Sequence, residues 1–313
     1  MVDIVVVGSL NMDLVVRVAK MPLSGETVVG SDLALVPGGK GANQAVAAAK
    51  QGLSVSMVGC VGNDPFGPRL IQGLKEAGVS TDYIRQVNHT STGTALIFLE
   101  EGGDNRIVIS PGANGQVSQA DIDRTAGLIQ TAKIALFQFE IPMSVIDYGL
   151  QMTHRFGVAT LVNPAPYRPF PSEWLSKITY LVPNESEAWR ITGIEVTDLS
   201  SAQKAAEKLL KDGASTVILT LGEMGALLAT PGGVLHVPAP EVEVVDTTAA
   251  GDSFIGGLSA ALVWGYPIEE AVRYAVCAGT LAVTKFGAQT SIPSLEETRR
   301  FYEAVNKKPP KIS

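Results

Sequence analysis

The stretch DIVVVGSLNMD (residues 3–13) determines the fold class. Its residues from Ile4 to Val7 are apolar without interruption, which is typical of a strand buried on both faces. Such strands occur in parallel sheets that helices cover on both sides. The run is followed by Asn11 and Asp13, two polar residues that can point to the same side of an extended chain. The stretch therefore predicts a central strand with polar groups at its carboxyl end.

Short apolar runs alternate with longer helix-patterned segments along the rest of the chain. VSMVGCVG (55–62) precedes PRLIQGLKEAG (68–78), and IALFQF (134–139) precedes MSVIDYGLQMTHRFG (143–157). This alternation predicts an α/β fold with a doubly wound, mostly parallel central sheet and helices on both of its faces. We expect residues 1–313 to form one such domain.

Two segments, at about 13–37 and 92–110, follow a different pattern. Apolar and polar residues alternate at period two, and turn signals such as EGGDN interrupt the alternation. We expect antiparallel strands outside the main sheet, forming a small β-sheet lid over the carboxyl ends of the main strands. The strands LVVRV (14–18) and TALIFL (94–99) are more apolar than one lid requires, which favours a homodimer through the lid.

Composition excludes several classes of partner and site. A net charge of −7 argues against a nucleic-acid or anionic-membrane surface. Two cysteines and three histidines are scattered singly, without the short spacings of a zinc site. The first residues lack a secretory signal, and no window approaches the roughly 20 apolar residues that span a bilayer. We expect a cytosolic protein without a nucleic-acid or membrane partner.

The glycine-rich segment VPGGKGANQAVAAA (36–49) fits neither common nucleotide-binding pattern. A Walker loop would need glycine at Ala34 and serine or threonine at Gly41. A dinucleotide fingerprint would follow the first strand directly. The segment instead predicts a tight turn entering a helix near Gly41, with Asn43 in the first turn, where free N–H groups and an amide can meet a ligand oxygen. A turn packed for geometric reasons alone is the alternative.

The segment DTTAAGDSFIGG (246–257) predicts a second helix N-terminus with functional groups. A helix that begins near Ala249 or Ala250 presents unpaired N–H groups and a positive dipole end, which together bind anions. Asp252 lies in the first turn. A carboxylate beside an anion site suits phosphoryl transfer to an alcohol, because the carboxylate accepts the hydroxyl proton while the N–H groups hold the transferred charge. A simple helix cap is the alternative use of Asp252.

Eight motifs in order, from Gly8 to about Pro293, resemble those of the ribokinase-like carbohydrate kinases. They are GSLNMD, PGGKGANQA, VGNDPFG, VNPAP, NESE, TLGEMG, DTTAAGDSF and KFGAQTSIP. The resemblance covers nearly the whole chain. It implies a doubly wound α/β domain with a β-lid, and transfer of the γ-phosphoryl group of ATP to a sugar hydroxyl.

The resemblance also assigns roles in the transfer. It implies that Asp252 is the general base for the 5-hydroxyl of D-ribose, which gives D-ribose 5-phosphate. The implied anion hole consists of Ala249, Ala250 and Gly251. The implied ribose ligands, besides Asp252, are Asn11, Asp13, Gly39, Lys40, Gly41, Asn43 and Glu140. Strand-end carboxylates and amides suit a polyol, since each of its hydroxyls both donates and accepts.

The same resemblance implies nucleotide and metal sites. Asn184 would contact the nucleotide, and Glu187 would organise Mg²⁺ through water. Further nucleotide contacts would come from Thr220, Gly222, Gly225 and Gly251. A K⁺ site would use Asp246, Ser291 and backbone oxygens of Thr248, Ala282, Lys285 and Gly287. Val276 stands where relatives often carry a polar residue near the adenine, and an apolar side chain cannot hydrogen-bond to the base.

Several functions remain as alternatives. Within the same class, the substrate is deoxyribose, fructose or a nucleoside instead of ribose. The small polar groups of NMD and GGKGANQ favour a bare furanose, whereas a nucleoside would call for an aromatic platform. From another class, a sugar-binding sensor that has lost catalysis would keep the sugar contacts but not the base. A nicotinamide-dependent oxidoreductase lacks its glycine fingerprint.

Overall fold

The computed structural model describes residues 2–100 and 105–306. The strands are β1 (Ile4–Val7), β2 (Asn11–Val18), β3 (Ala34–Gly38), β4 (Val55–Gly62), β5 (Val79–Val87), β6 (Gly93–Glu100), β7 (Asn105–Ser110), β8 (Ile134–Gln138), β9 (Ala159–Asn163), β10 (Tyr180–Leu181), β11 (Thr216–Thr220), β12 (Ala226–Thr230) and β13 (Gly233–Val237). The helices are α1 (Lys40–Lys50), α2 (Phe66–Glu76), α3 (Gln119–Arg124), α4 (Ala126–Thr131), α5 (Met143–Phe156), α6 (Glu185–Thr192), α7 (Leu199–Lys211), α8 (Ala250–Val263), α9 (Ile268–Ala282) and α10 (Leu295–Asn306).

Among the described residues, nine strands form the central sheet in the order β13-β12-β11-β10-β9-β8-β1-β4-β5. The strands from β11 to β5 in this order run parallel, and β12 and β13 add an antiparallel edge. The predicted mostly parallel sheet is thus confirmed. Strand β1 lies inside it, as its uninterrupted apolar run indicates.

The side chains of β1 alternate between two hydrophobic cores. Ile4 and Val6 pack with residues of α1, α2, α8 and α9, while Val5 and Val7 pack with residues of α3 to α7. All four side chains are fully buried. A strand with a core on each face needs an apolar residue at every position. The helices on both faces confirm the doubly wound arrangement, and none of the described helices combines the length and apolar character that a bilayer crossing requires.

The direction of winding changes between β1 and β8, which are neighbours in the sheet. From β1 the chain proceeds to β4 and β5 on one side, and from β8 it proceeds to β9, β10 and β11 on the other. Crossovers that leave in opposite directions open a crevice at the carboxyl ends of the two strands, where open α/β sheets bind ligands. Asn11 and Asp13 follow β1, and Glu140 follows β8.

The second sheet, which we call the lid, has the strand order β3-β2-β6-β7. It confirms the small sheet expected from the two insertions. The prediction of wholly antiparallel strands is wrong, because β2 and β6 pair in parallel while β2/β3 and β6/β7 are antiparallel. Strands β2 and β6 both leave the main sheet at its carboxyl edge, so they run in the same direction. Residues 19–33 form no strand, and residues 101–104 of the EGGDN turn lie outside the described residues.

Four short connections join the lid to the rest of the chain. They are residues 8–10 between β1 and β2, Gly39 between β3 and α1, residues 88–92 between β5 and β6, and Pro111 between β7 and the 3-10 helix Gly112–Gln116. Two of the four connections are single residues, so the lid is held close to the edge of the main sheet.

Helices α1 and α8 are in direct backbone contact at Gly256. A Cβ atom at Gly256 would lie 2.4 Å from Ala47 Cβ and 2.7 Å from the Ala47 carbonyl carbon. We expect Gly256→Ala to lower the free energy of unfolding by about 1–3 kcal/mol, because the two helices must separate. Urea denaturation measures this value. Gly73→Ala in α2 is the matched control, since no described atom beyond its chain neighbours and the α2 backbone lies within 4 Å of the added Cβ. That change should raise stability by about 0.5–1 kcal/mol. Equal effects of the two substitutions would contradict the packing argument.

Candidate active site

The Asp252 carboxylate lies in the first turn of α8 and is only 8% exposed. Its Oδ2 accepts a hydrogen bond from Asn43 Nδ2 at 3.0 Å, and its Oδ1 accepts one from Gln44 Nε2 at 3.0 Å. No side chain caps the N-terminus of α8. The helix-cap alternative is therefore wrong, because Asp252 is held across the α1/α8 contact by two amides instead of bonding its own backbone.

A chain of buried amides extends from Asp252 into the sheet. Gln44 is fully buried; it accepts a hydrogen bond from Gln138 Nε2 at 2.6 Å and also donates to Asn163 Oδ1 at 3.2 Å. Asn163 in turn donates to the Val182 carbonyl. The sequence prediction missed Gln44, Gln138 and Asn163. The available signal was an amide side chain inside an otherwise apolar helix or at the end of an apolar strand.

The N-terminus of α8 has an unusual backbone. Ala249, its N-cap residue, adopts the left-handed conformation with φ of 59°. A non-glycine residue in this region carries strain of roughly 1–3 kcal/mol, and such strain is concentrated at functional sites. Within the described chain, the N–H groups of Gly251 and Asp252 form no hydrogen bond, whereas Ala250 N donates to Thr247 O at 3.3 Å. The helix thus presents free donors beside the Asp252 carboxylate.

Asn11 and Asp13 project from the start of β2 toward the same face of the lid, as predicted. Asn11 Oδ1 accepts a hydrogen bond from Asn114 Nδ2 at 2.7 Å, and Asn114 also bonds both backbone polar groups of Leu10. Asn114 was missed by the sequence prediction. Asp13 lies over Gly38, where an added Cβ would be 2.3 Å from Asp13 Oδ2. The glycine is needed because any side chain there would displace the carboxylate.

The turn into α1 also requires glycine for a physical reason. Gly39 has φ of 91°, and an added Cβ would lie 2.7 Å from Asn11 N. An added Cβ at Gly41 would lie 2.5 Å from Ser9 N. Glu140 bonds this turn, since its Oε2 accepts hydrogen bonds from Lys40 N and from Ser9 Oγ. The predicted residues Gly39, Lys40, Gly41 and Glu140 are therefore brought together, with Ser9 as an unpredicted partner.

Three carboxylates surround the Lys40 side chain. Burial alone would lower the pKa of Lys40, but the charges of Asp252, Glu140 and Glu187 outweigh burial and raise this pKa. The ammonium group therefore stays charged at neutral pH. Lys40 thus interacts electrostatically both with Glu140, on the predicted sugar side, and with Glu187 of α6.

Asp13 lies near two of the same carboxylates without a cationic partner of comparable effect. Burial, followed by the negative charges of Glu140 and Asp252, raises the pKa of Asp13 to about 7. Ionising Asp13 in the folded protein is thus costly, and a displaced pKa of this kind is typical of functional sites.

Asn184 and Glu187 form the capping box of α6. Asn184 Oδ1 accepts a bond from Glu187 N at 2.8 Å, and Glu187 Oε2 accepts one from Asn184 N at 2.9 Å. Glu187 is 5% exposed, and burial raises its pKa against the opposing effects of the Asn184 N–H and Lys40. The pair therefore has a structural role in starting α6. Its predicted contact with a nucleotide or Mg²⁺ stays a prediction.

The other predicted nucleotide-side residues gather near α6. Thr220 N donates to Pro183 O, and Thr220 forms a parallel bridge with Asn184. Gly222 is the first residue of the short 3-10 helix Gly222–Met224 and Gly225 follows it, with φ of 52° and 90°. Gly225 has a packing role, since its added Cβ would lie 2.1 Å from the Val237 carbonyl oxygen. Val276, a residue of α9, is buried in the hydrophobic core.

Asp246 connects two loops at the N-terminal side of α8. Its Oδ1 accepts bonds from the Thr248 N–H and hydroxyl, and its Oδ2 accepts one from Gly287 N at 2.9 Å. Burial alone would raise the pKa of Asp246, yet the hydrogen bonds from Thr248 and Gly287 lower it. Ser291 Oγ reaches the Thr248 carbonyl at 3.4 Å, and Ala282 O accepts a bond from Lys285 N. The six residues predicted for K⁺ thus lie on two loops that touch.

Two surface clefts of about 390 Å³ each lie elsewhere, one lined by residues 63–64 and 88–91 and the other along α7. Neither is lined by a residue of the predicted site. The arrangement at Asp252 is instead a narrow junction between α1, α8 and the base of the lid.

Comparison with known sequences gives the class of enzyme to which this arrangement belongs. The sequence of residues 1–295 matches the pfkB family carbohydrate kinases. The match covers both sheets and every element that supplies a predicted site residue. The chain therefore belongs to the pfkB family of carbohydrate kinases.

Individual relatives resemble the chain along its whole length. It is 42% identical to the ribokinase of Schizosaccharomyces pombe over 307 aligned residues. The alignment covers 95% of this chain and 96% of that protein. It is 37% identical over 300 residues to the deoxyribokinase of Salmonella typhi, covering 96% and 98%. The ribokinase of Arabidopsis thaliana, whose structure was solved with ribose and ATP, superimposes with a TM-score of 0.92 at 34% identity over 96% of this chain and 99% of that one.

Proposed function

We propose that the protein is an ATP-dependent kinase that phosphorylates D-ribose at O5. The observation that carries the proposal is the Asp252 carboxylate, which is buried, held by two amide donors and placed beside the free N–H groups of Gly251 and Asp252. A general base beside an anion site is what phosphoryl transfer to an alcohol requires. The similarity to ribokinases over the whole chain supports ribose as the alcohol.

The proposed reaction follows from this geometry. Asp252 accepts the proton of the sugar 5-hydroxyl while that oxygen bonds to the γ-phosphorus of ATP, and the bond from phosphorus to ADP breaks. The products are ribose 5-phosphate, ADP and a proton on Asp252 that passes to water. The N–H groups at the start of α8 would bind the transferred phosphoryl group, with Ala249, Ala250 and Gly251 as its predicted anion hole. The charged Lys40 side chain would attract the same anionic group.

We propose that ribose binds between the lid and the α1 turn. Asn11 and Asp13 would contact it from the lid, and Gly39, Lys40, Gly41, Asn43 and Glu140 from the main sheet. Carboxylates accept hydrogen bonds and amides both donate and accept, so the set can satisfy a polyol. Asn114 supports the proposal because its bond to Asn11 Oδ1 leaves the Asn11 amide N–H groups as the available donors.

We also propose Mg²⁺ and K⁺ as cofactors, on the chemistry of the residues present. Glu187 is a buried carboxylate near Lys40, and Mg²⁺ is commonly held through water by one or two carboxylates. The loops of Asp246 and Ser291 supply one carboxylate, one hydroxyl and several carbonyl oxygens, which are hard ligands that suit K⁺. Bound there, the two ions would supply positive charge near the phosphates and beside the α8 N-terminus.

A panel of acceptors tests the proposed function. We expect ATP-dependent phosphorylation with the highest kcat/KM for D-ribose, followed by 2-deoxyribose, and much lower values for fructose and adenosine. A coupled ADP-release assay measures these values, and phosphorus NMR of the product identifies O5. If none of the sugars or nucleosides in the panel is phosphorylated, the kinase proposal is refuted and the sugar-binding sensor remains.

Deoxyribose is the second candidate substrate, because the deoxyribokinase of Salmonella typhi is nearly as similar to this chain as the ribokinases are. The two sugars differ by the 2-hydroxyl alone, so the ratio of their kcat/KM values decides between them. A kcat/KM for ribose that is lower than the kcat/KM for deoxyribose would assign deoxyribose as the substrate.

We propose that the lid mediates a homodimer. Several of its large apolar side chains are exposed: Leu96 at 39%, Ile107 at 51%, Val108 at 58% and Ile109 at 45%. A group of exposed apolar residues on an edge strand is typical of a protein interface.

A cytosolic location is proposed as well, since the cytosol supplies ATP and suits the two buried free cysteines of the described chain.

We expect lysine substitutions on β7 to separate the dimer. Ile107 and Ile109 point to one face of the strand and Val108 to the other, because strand side chains alternate. Analytical ultracentrifugation of Ile107→Lys/Ile109→Lys and of Val108→Lys then shows which face is covered. Val234→Lys on β13 is the control, since Val234 is 38% exposed on an edge strand of the central sheet, outside the lid. A wild-type protein that is monomeric at micromolar concentration would dismiss the dimer.

A further inference from the structure

Gln289, in the loop after α9, is linked to the Asp252 carboxylate by two hydrogen bonds. Gln289 Nε2 donates to Asn43 Oδ1 at 3.2 Å, and Asn43 Nδ2 donates to Asp252 Oδ2 at 3.0 Å. Asn43 is 7% exposed, so its amide has few other partners. The loop, α1 and α8 are thus joined through one amide group.

The chemistry of the groups fixes the direction of both bonds. An ionised carboxylate only accepts hydrogen bonds, so Asn43 must turn its NH₂ group toward Asp252. The Asn43 oxygen then faces the loop, where it needs a donor. Gln289 supplies that donor. Without it, the Asn43 amide could turn over and present its oxygen to Asp252, which would place two acceptors against each other.

The backbone around Gln289 is held from two sides. Lys50 Nζ, at the end of α1, donates to the carbonyl oxygens of Gln289 and Ile292 at 2.9 Å each. Gly287 N donates to Asp246 Oδ2 at 2.9 Å in the same loop. The conformation of this loop therefore determines where the Gln289 side chain lies, and through Asn43 it bears on the base.

We infer that Gln289 is a positioning residue for the general base: it orients the Asn43 amide so that the amide donates to Asp252, and it couples the 285–291 loop to that carboxylate. The inference rests on the proposed function for its effect on turnover. Its effect on Asp252 itself does not depend on which substrate is used.

Two substitutions test the inference. Gln289→Met removes the donor at similar volume, and Gln289→Glu leaves an acceptor that can bond Asn43 only if the amide turns over. We expect kcat to fall about 10-fold for the methionine variant, the upper end of what a neutral hydrogen bond contributes, and more for the glutamate variant. Gln203→Met on α7 is the control for loss of an amide bond, here to Glu207, and should leave kcat unchanged.

A double-mutant cycle shows whether Gln289 acts through Asn43. In an Asn43→Ala background, we expect Gln289→Met to change kcat by less than about twofold, since the partner is gone. Equal effects of Gln289→Met in both backgrounds would overturn the inference. So would a wild-type kcat in both Gln289 variants.

A spectroscopic measurement separates this inference from the proposed function. The side-chain amide of Asn43 is followed by ¹H–¹⁵N NMR at one fixed pH without substrate, with Asn43→Ala for assignment. We expect the Asn43 NH₂ resonances to move in Gln289→Met relative to the wild type, because the amide loses the donor that holds its oxygen. Unmoved Asn43 resonances refute the role of Gln289 even if ribose is phosphorylated, whereas failed ribose turnover with moved resonances refutes the proposed function alone.

Discussion

Replacing Asp252 with asparagine is expected to lower kcat for ribose by about 10³- to 10⁴-fold, the upper range of what a positioned general base contributes. An amide cannot accept the hydroxyl proton, and its NH₂ group must face Asn43 or Gln44, both of which donate in the wild type. Ribose affinity, measured by calorimetry, should stay close to the wild-type value. A loss in kcat with binding retained assigns Asp252 to the chemical step.

Asp198→Asn provides the matched control for this prediction. Asp198 also stands at a helix N-terminus, but it serves as the N-cap of α7 and accepts a bond from Ser201 N at 2.7 Å. We expect this substitution to leave kcat unchanged. A wild-type kcat in Asp252→Asn would remove the base assignment, and a similar loss in both variants would point to a general effect of helix-terminal acids.

Replacing Asp13 with asparagine is expected to stabilise the protein at pH 8 while weakening ribose binding. The pKa of Asp13 is raised from 3.8 to about 7 by burial and by Glu140 and Asp252. Between these two values the folded protein holds a proton that the unfolded chain has released, so stability falls as pH rises from about 4 to 7. Asparagine carries no such penalty. The free energy of unfolding of Asp13→Asn should exceed that of the wild type by on the order of 4 kcal/mol at pH 8, and the two should be equal below pH 4.

Asp13→Asn also removes a charged hydrogen-bond acceptor for the sugar. We expect ribose affinity to fall about 10- to 100-fold, the size of a hydrogen bond to a charged group. Urea unfolding across pH 4–8 and calorimetry measure the two effects. Asp64→Asn is the control of opposite sign: burial opposes ionisation of Asp64, but hydrogen bonds from Thr92, Gly67 and Phe66 outweigh it and lower its pKa. Asp64→Asn should therefore destabilise the protein at neutral pH. A less stable Asp13→Asn at pH 8 would contradict the electrostatic argument.

The sequence predicted those features that depend on local chemistry. The apolar run Ile4 to Val7 identified a strand buried on both faces, and the two glycine-led helix starts identified Asn43 and Asp252. Each of these signals lies within a few consecutive residues. For that reason the fold class, and two of the residues that meet where α1 contacts α8, could be predicted from short segments.

The remaining features depend on contacts between distant segments. Nothing near Gln44 in the sequence indicates that it meets Asp252, which lies 208 residues away. The parallel pairing of β2 with β6 follows from where both strands leave the main sheet, which alternation within each strand does not reveal. The left-handed Ala249 is also hidden, because local preference at such a position favours glycine.

The short connections between the two sheets have a mechanical consequence. All four connections lie at the base of the lid, where β2 and β6 begin and β3 and β7 end, and Asn11 is the first residue of β2 there. Strand β2 extends from there for eight residues, about 26 Å at 3.3 Å per residue. A rigid tilt of the lid about this base would therefore displace its far end several times further than Asn11.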